Sequence, residues 1–135
     1  MDCLFCKIIA GEIPSYKLYE DDLIYVMLDR YPSARGHSLI LPKRHSADVY
    51  DLTDEECSRI FVTSKKVALS LRESLDFEGL NLLQNNGKAA GQAINHFHLH
   101  LIPRFKGDGI KIKGETTDPS PEELEAVLKE IKAVL

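Results

Sequence analysis

Three histidines alternate with apolar residues over positions 96–102 of this 135-residue chain. Alternate side chains of a β-strand point to the same face, so His96, His98 and His100 would line one face. The outer two would stand about 13 Å apart along a straight strand, which is too far for one metal ion to gather all three. The row instead suits an elongated anionic group such as a phosphate ester.

A histidine row of this kind supplies the groups that phosphoryl chemistry needs. Neutral imidazole is a good nucleophile near neutral pH, because its reference pKa is about 6.5. An attacking ring nitrogen gives a phospho-histidine intermediate that water can open, while neighbouring rings bind phosphate oxygens or transfer protons. A single histidine would more often be a partly buried polar residue of a sheet. Three on one face favour a functional site.

The residues immediately before the row, 85–92, are Asn-Asn-Gly-Lys-Ala-Ala-Gly-Gln. Gly87 and Gly91 permit a close backbone approach, so this loop can present N–H groups to a phosphate. Asn85 and Gln92 add neutral donors. The chain has neither a dinucleotide-binding glycine motif nor a P-loop, which excludes those two ways of holding a nucleotide.

Short runs between turn residues predict the strands that must position these groups. They are expected at residues 16–20, 23–28, 37–42, 79–84 and 96–102, with Pro103 closing the last. A short helix over residues 4–10 should end at Gly11. Residues 106–119 are expected to be a loop that could form one short strand where Ile110 and Ile112 alternate.

Two capping boxes mark the starts of the remaining helices. Thr53 with Glu56 predicts a long helix over residues 54–75, and Ser120 with Glu123 predicts a C-terminal helix. The expected apolar face of the long helix comprises Cys57, Ile60, Phe61, Val67, Ala68, Leu71 and Leu75. The pattern predicts an α+β fold: an antiparallel β-sheet with one long helix and short terminal helices. Residues 1–135 are expected to form a single domain.

The composition excludes several classes of protein. A net charge of -4 argues against bulk nucleic-acid binding, although a small anionic ligand is compatible with it. We expect no signal peptide and no membrane-spanning segment, since no long apolar run is present. With three cysteines and no export signal, a disulfide framework is not expected, and we predict a cytoplasmic protein.

Residues 96–102 resemble the signature of the histidine triad (HIT) family, in which three alternating histidines are followed by two apolar residues. Gly91-Gln92, Gly36-His37 and the Pro-Lys-Arg-His run at residues 42–45 are similar to further family elements. The opening residues 3–14 resemble those of bacterial members of the Hint branch. The resemblance covers about residues 1–105, and residues 106–135 are expected to form a divergent C-terminal extension.

This resemblance implies nucleotidyl hydrolysis or transfer at the α-phosphate of an adenosine 5′-phosphate derivative. His98 would be the nucleophile that carries the nucleotidyl group and His100 a phosphate contact, with His37 completing the catalytic candidates. The implied nucleotide-binding residues are Phe5, Ile8, Ile9, Asp29, Asn85, Gly91, Gln92 and Ala93. Among them Asp29 would bind the ribose, and Phe5, Ile8 and Ile9 would hold the base, although plain core packing explains these three equally well. The family also implies a purine nucleotide substrate and a homodimer.

Ala93 departs from the family pattern. Many members carry serine or threonine at this position, and its hydroxyl contacts the phosphate or the leaving group. The backbone N–H of Ala93 can still donate, but help from that hydroxyl to the leaving group is missing. The missing hydroxyl is expected to weaken phosphoramidate cleavage more than it weakens formation of the nucleotidyl-histidine intermediate. A phosphoramidate, an adenylate and a dinucleoside polyphosphate all remain candidate substrates, and Arg104 and Lys106 could reach the last of these.

Cys3 and Cys6 form half of a tetrahedral zinc site, and the sequence contains no second pair at this spacing. Cys57 is expected to be a buried structural cysteine of the long helix. The family resemblance implies that His45 and His96 complete a structural zinc site with Cys3 and Cys6. Such a site would fix His96 and thereby help to orient His98.

Two other functions compete with the nucleotidyl-histidine hydrolase. A three-histidine catalytic zinc site that includes His37 could activate a hydroxide. This hypothesis leaves the cysteine pair and the Gly-Gln loop unexplained. The second alternative is a regulatory module that binds a nucleotide without turning it over.

Overall fold

The computed structural model describes residues 2–135 and has the predicted α+β architecture. Its elements are α1 (Leu4–Ile9), β1 (Lys17–Glu20), β2 (Ile24–Leu28), β3 (Ser38–Pro42), α2 (Asp54–Ser74), β4 (Gly79–Gln84), β5 (Leu99–Arg104) and α3 (Pro121–Lys132). The five strands form one antiparallel sheet in the order β1-β2-β3-β5-β4. β5, which contains the last histidine of the row, therefore lies inside the sheet, between β3 and β4.

The two faces of the sheet bury different sets of residues. One face packs against α2, where Val26, Ile40 and Leu101 meet Ile60 and Val67. The other face carries α1, and its cluster comprises Cys3, Phe5, Ile8, Tyr25, Met27, Leu39 and Leu41. Because neighbouring residues of a strand point to opposite faces, the same strands supply both clusters. The histidines lie on the α1 face.

The histidine row differs from the predicted strand. Strand pairing begins at Leu99, so His96 and His98 lie in the segment that leads into β5. The backbone N–H of Phe97 donates to the carbonyl of Ser46 instead of to a strand. At the other end β5 continues through Pro103, which pairs with Leu80 of β4. Since β3 accompanies β5 only as far as Leu101, proline is tolerated there.

The buried face of α2 includes Ile60, Val67 and Leu71 as predicted, but two of the predicted residues lie outside it. Cys57 is exposed and Phe61 is 66% exposed, so the prediction that both are buried is wrong. Glu56 is buried in their place, because Arg44 lies 2.7 Å away and the N–H of Thr53 donates to the same carboxylate at 2.9 Å. The capping box at Thr53 is confirmed, and it accounts for a charged residue inside the core.

The C-terminal segment has the predicted helix but no additional strand. No strand forms within residues 105–120, all of which the structure describes, because Asp108 turns the chain back onto Arg104. The capping box at Ser120 is confirmed. The apolar stripe of α3 is half exposed, with Leu128 48% and Ile131 55% accessible. Of the helices in residues 2–135, none is sufficiently long and apolar to cross a membrane.

Candidate active site and metal centre

His98 is fixed by a hydrogen bond to the backbone of the same histidine row. Its Nδ1 lies 2.7 Å from the carbonyl oxygen of His96. A carbonyl oxygen can only accept, so Nδ1 carries the proton and Nε2 keeps its lone pair. The ring of Phe5 packs edge-on against His98 with a centroid separation of 5.1 Å. This arrangement leaves His98 with one free, basic nitrogen.

His100 and His37 form a second hydrogen-bonded unit beside His98. The N–H of Ser33 donates to His37 Nδ1 at 3.0 Å, so the proton of neutral His37 resides on Nε2. That nitrogen lies 2.9 Å from His100 Nδ1 and therefore donates to it. The remaining proton of His100 is thus on Nε2, where it can be donated to a ligand. The rings of His98 and His100 are 4.9 Å apart.

Burial favours the neutral forms of His37 and His100. Burial is the largest cause that lowers the pKa of His100, and together with the nearby His98 and His37, and against Asp29, it brings that pKa to about 4. Burial also lowers the pKa of His37, against an opposing effect of Asp29, whose carboxylate lies 3.5 Å from His37 Nε2. At neutral pH His37 and His100 therefore form a hydrogen-bonded relay without a net charge.

A cleft of about 450 Å³ opens beside the two rings. Among the predicted site residues it is lined by Phe5, Ile8, Asp29, Ala93, His98 and His100. Its apolar floor includes Met27 of β2 and Leu39 of β3, and Tyr31 stands at its rim, 82% exposed. The sequence analysis did not select these three. The alternation of β2 and β3 toward the histidine face was the signal that could have identified Met27 and Leu39.

Four predicted nucleotide-binding residues lie away from the cleft wall. Ile9 packs against the core cluster beneath α1. Asn85 and Gly91 are neighbours, with the Asn85 amide nitrogen 3.8 Å from where a Cβ of Gly91 would lie. Gln92 is the fourth, and its side chain is engaged within the protein.

The side-chain amide of Gln92 ties the glycine loop to the segment after His45. Its oxygen accepts from the N–H of Gly87 at 2.8 Å. Its nitrogen donates to the carbonyls of Ala47 at 2.6 Å and Ile94 at 3.1 Å. Both amide protons are thus used inside the protein, so Gln92 sets the course of the loop that brings Ala93 to the cleft.

A cluster of four possible metal ligands lies at the first histidine of the row. It comprises Cys3, Cys6, His45 and His96. Their ligand atoms all lie within 4.8 Å of one another. His96 Nδ1 is 3.4 Å from Cys3 Sγ and 3.5 Å from Cys6 Sγ, and His45 Nδ1 is 3.4 Å from Cys6 Sγ. Tetrahedral zinc with ordinary Zn–S and Zn–N bonds separates its sulfur and nitrogen ligands by about 3.5 Å. The separations fit that coordination.

The protonation pattern fits a metal as well. His96 Nε2 lies 2.9 Å from the carbonyl oxygen of Pro42, so it carries the proton and leaves Nδ1 bare toward the sulfurs. Burial and the neighbouring Cys3 together raise the pKa of Cys6 to about 11. A thiolate at that position requires a compensating cation, which a metal ion would provide.

An antiparallel sheet with a histidine row beside a cleft, and one further histidine bonded to the row, defines a histidine triad protein. The HIT domain model matches residues 10–107, and the chain belongs to the HIT family. The predicted resemblance and the predicted fold class are confirmed.

Relatives and solved structures agree with this assignment. The crystal structure of a HIT family member from Bacillus subtilis superposes with a TM-score of 0.94 at 43% identity, covering 100% of this chain and 98% of that one. The adenosine 5′-monophosphoramidase hnt1 of Schizosaccharomyces pombe is 40% identical over 134 residues, which are 98% of each chain. The crystal structure of a Zn-bound histidine triad family protein from Mycobacterium smegmatis has a TM-score of 0.77 at 36% identity, covering 100% of this chain and 99% of that one.

Proposed function

We propose that this protein hydrolyses adenosine 5′-phosphoramidates, with His98 as the nucleophile. The observation that carries the proposal is the hydrogen bond from His98 Nδ1 to the carbonyl of His96, 2.7 Å long. It holds the ring in the tautomer that attacks through Nε2, in a cleft that also contains the His100 donor. The active ring and its orientation are therefore set before any substrate binds.

The reaction proceeds in two displacements at the α-phosphorus. His98 Nε2 attacks, the P–Nε2 bond forms, and the P–N bond to the leaving amine breaks as that amine takes up a proton from solvent. Water then attacks the nucleotidyl-His98 intermediate, which releases the nucleoside monophosphate and restores His98. His100 Nε2–H donates to a phosphate oxygen, and His37 stabilises the charge that develops on His100.

The cleft provides a place for each part of a nucleotide. Asp29 lies next to the relay and is in position to accept from ribose hydroxyls. Phe5 and Ile8 line an apolar wall that suits a purine base. The backbone N–H of Ala93 donates to the phosphate, while Asn85 and Gly91 support the loop without lining the cleft. The role of Gln92 is to hold this loop.

A short leaving group is favoured over a polyphosphate chain. Arg104 was a candidate for binding a longer polyphosphate, but its guanidinium is occupied by Asp108 at 2.8 and 2.9 Å and by Asn81 at 2.7 Å. The phosphoramidase activity named for the yeast relative agrees with this preference. We therefore place phosphoramidates ahead of dinucleoside polyphosphates.

The geometry opposes the zinc-hydroxide alternative. The ligand atoms of Asp29, His37 and His100 lie within 4.8 Å of one another, and His98 is not part of that group. Two nitrogens bound to one tetrahedral zinc lie about 3.3 Å apart, whereas His37 Nε2 and His100 Nδ1 are separated by 2.9 Å. That distance is typical of a shared proton. His37 Nδ1 is moreover already engaged by Ser33.

We further propose that Cys3, Cys6, His45 and His96 hold a structural zinc ion. Four protein ligands leave no open coordination position, so the bound ion would cross-link the start of α1 to the segment before β5. The fit of the sulfur–nitrogen distances supports this, as does the Zn-bound relative. Thiolate ligands are typical of a reducing compartment, and we propose a cytoplasmic location.

A homodimer is also proposed, with β4 at its interface. β4 has a neighbour on one side only, and its sequence Gly-Leu-Asn-Leu-Leu-Gln has no charge to discourage pairing. The opposite edge strand, β1, contains Lys17 and Glu20. Leu82 of β4 and Leu69 of α2 are 42% and 46% exposed. Sedimentation of the wild type and of Leu82→Lys tests this, since the charge should yield monomers.

The decisive experiment offers adenosine 5′-phosphoramidate and diadenosine tetraphosphate to the wild type and to His98→Ala. We expect AMP release from the phosphoramidate to fall by roughly 10⁴-fold or more in the variant, the scale observed when a catalytic nucleophile is removed. Equal rates in the two proteins would contradict the nucleophile assignment. Nucleotide binding without turnover of either substrate would instead support a regulatory module.

A further inference from the structure

Cys3 and Cys6 are placed so that they could bond to each other. They are three residues apart across the first turn of α1, and their Sγ atoms lie within 4.8 Å of each other. The backbone N–H of Cys6 donates to Cys3 Sγ at 3.4 Å, and both sulfurs face His96 Nδ1. Cys3 is buried and Cys6 is partly exposed, so an oxidant can reach Cys6 first.

The same two residues hold the catalytic ring through one intermediate residue. The side chain of His96 faces the sulfurs, while its backbone carbonyl accepts the proton of His98 Nδ1 at 2.7 Å. Phe5 lies between the two cysteines in the chain and packs edge-on against both His96 and His98. A change at the sulfurs therefore acts on His98 from two directions.

We propose that the Cys3–Cys6 pair is an oxidation site that reversibly switches off hydrolysis by releasing His96, and with it His98. The proposal rests on the proposed function and on the metal site. It assigns to the cysteines a second role, beyond tying the N-terminal segment to the sheet. Cys57 is exposed on the outer surface of α2 and has no part in the switch.

The chemistry requires a hydroperoxide as the oxidant. The Cys6 thiolate attacks the hydroxyl oxygen of the peroxide, the O–O bond breaks, the alkoxide or hydroxide leaves and takes up a proton from solvent, and Cys6 becomes a sulfenic acid. The Cys3 thiolate then attacks the Cys6 sulfur, the S–O bond breaks, hydroxide leaves and takes up a proton from solvent, and the disulfide forms. Two electrons pass from the sulfurs to the peroxide. With both thiolates consumed, only His45 and His96 remain as ligands, and the metal is lost.

The test uses zinc-loaded Cys57→Ser, in which Cys3 and Cys6 are the remaining thiols. On treatment with hydrogen peroxide we expect one zinc and two thiols to be lost per chain. Phosphoramidate turnover should fall by about 10²-fold at the same rate, the cost of a displaced catalytic group. A thiol reductant with zinc should restore it. The hydrogen-bonded Nδ1 proton of His98, observed by NMR, should disappear on oxidation and return on reduction.

Several outcomes would overturn the proposal. They are turnover that is unchanged after the zinc and both thiols are lost, a His98 proton signal that persists, and inactivation that occurs in the wild type but not in Cys57→Ser. Unfolding on oxidation, followed by circular dichroism, would equally contradict a local switch. If the reduced protein shows no turnover, the proposed function fails instead, and the His98 signal still decides whether oxidation reaches the catalytic ring.

Discussion

His37 Nε2 lies 2.9 Å from His100 Nδ1, although the two residues are 63 positions apart in the chain. His37 is the residue immediately before β3, and β3 pairs with β5 so that Leu39 lies opposite His100. Antiparallel pairing therefore brings the fourth histidine to the row. The N–H of Ser33 fixes the tautomer of His37, which in turn fixes the tautomer of His100.

Replacing His37 should reduce turnover by interrupting this relay. His37→Phe removes the donor to His100, and we expect kcat to fall by about 10²-fold while KM changes little. His37→Gln is the matched control, because its amide N–H can still donate toward His100, and it should retain more activity. Steady-state kinetics of both variants decide the matter. Identical kcat values for the two would show that the hydrogen bond is not the relevant feature.

The buried histidines should make the fold sensitive to mild acid. The folded pKa of His100 is about 4, below the unfolded value of 6.5, so the unfolded chain binds a proton first as the pH falls. Stability is therefore greatest above about pH 6.5 and declines toward pH 4, by up to about 1.4 kcal/mol per pH unit for this one group. Urea unfolding at several pH values measures the slope. His100→Gln should flatten it, and an unchanged slope would contradict the assignment.

Loss of the Gln92 amide should disorder the glycine loop, although Gln92 itself is not expected to contact the substrate. Gln92→Leu removes the bonds to Gly87, Ala47 and Ile94, and we expect an increased KM together with faster hydrogen exchange at Gly87. Asn86→Ala is a useful comparison, because it removes a separate tie of the same loop to Val49. A large loss of kcat in Gln92→Leu with unchanged exchange at Gly87 would indicate direct contact with the phosphate.

Restoring a hydroxyl at position 93 should assist the leaving group. Ala93 lines the same cleft as His98 and His100, so Ala93→Ser would add an O–H donor to the wall of that cleft. We expect phosphoramidates with poor leaving groups to gain several-fold in kcat, and those with good leaving groups to change little, since the donor matters when departure is slow. A series of substrates graded by amine pKa measures this. A uniform effect across the series would contradict a leaving-group role.

Zinc content distinguishes the proposed metal site from the proposed nucleophile. Purified wild type should contain one zinc per chain, and Cys3→Ser or His45→Ala should lower that content sharply because a ligand is removed. His98→Ala should keep the metal, since His98 is not among the four ligands. Metal analysis and thermal unfolding of the three variants provide the measurement. Wild-type protein without any metal would contradict the zinc proposal. Loss of zinc from His98→Ala would show that His98 is needed to hold the metal, so that the two sites are not separate.

Local patterns in the sequence were sufficient for much of the fold. Hydroxyl and carboxylate residues three positions apart placed the starts of α2 and α3, because capping is a local interaction. The spacing of His96, His98 and His100 predicted a shared face, and the rings of His96 and His98 both pack against Phe5, although His96 lies in a bend before β5. The cysteine pair indicated a metal through its own spacing.

Tertiary contacts decided the rest. Whether Cys57 or Glu56 is buried depends on Arg44, which reaches α2 from a distant loop and neutralises the carboxylate. The ring nitrogen that carries the proton is set in His37 by the N–H of Ser33, and in His96 by the carbonyl of Pro42. Spacing along the chain fixes which side chains share a face. Only the folded chain determines the partner that each one meets, because hydrogen bonding and burial join residues that are far apart in sequence.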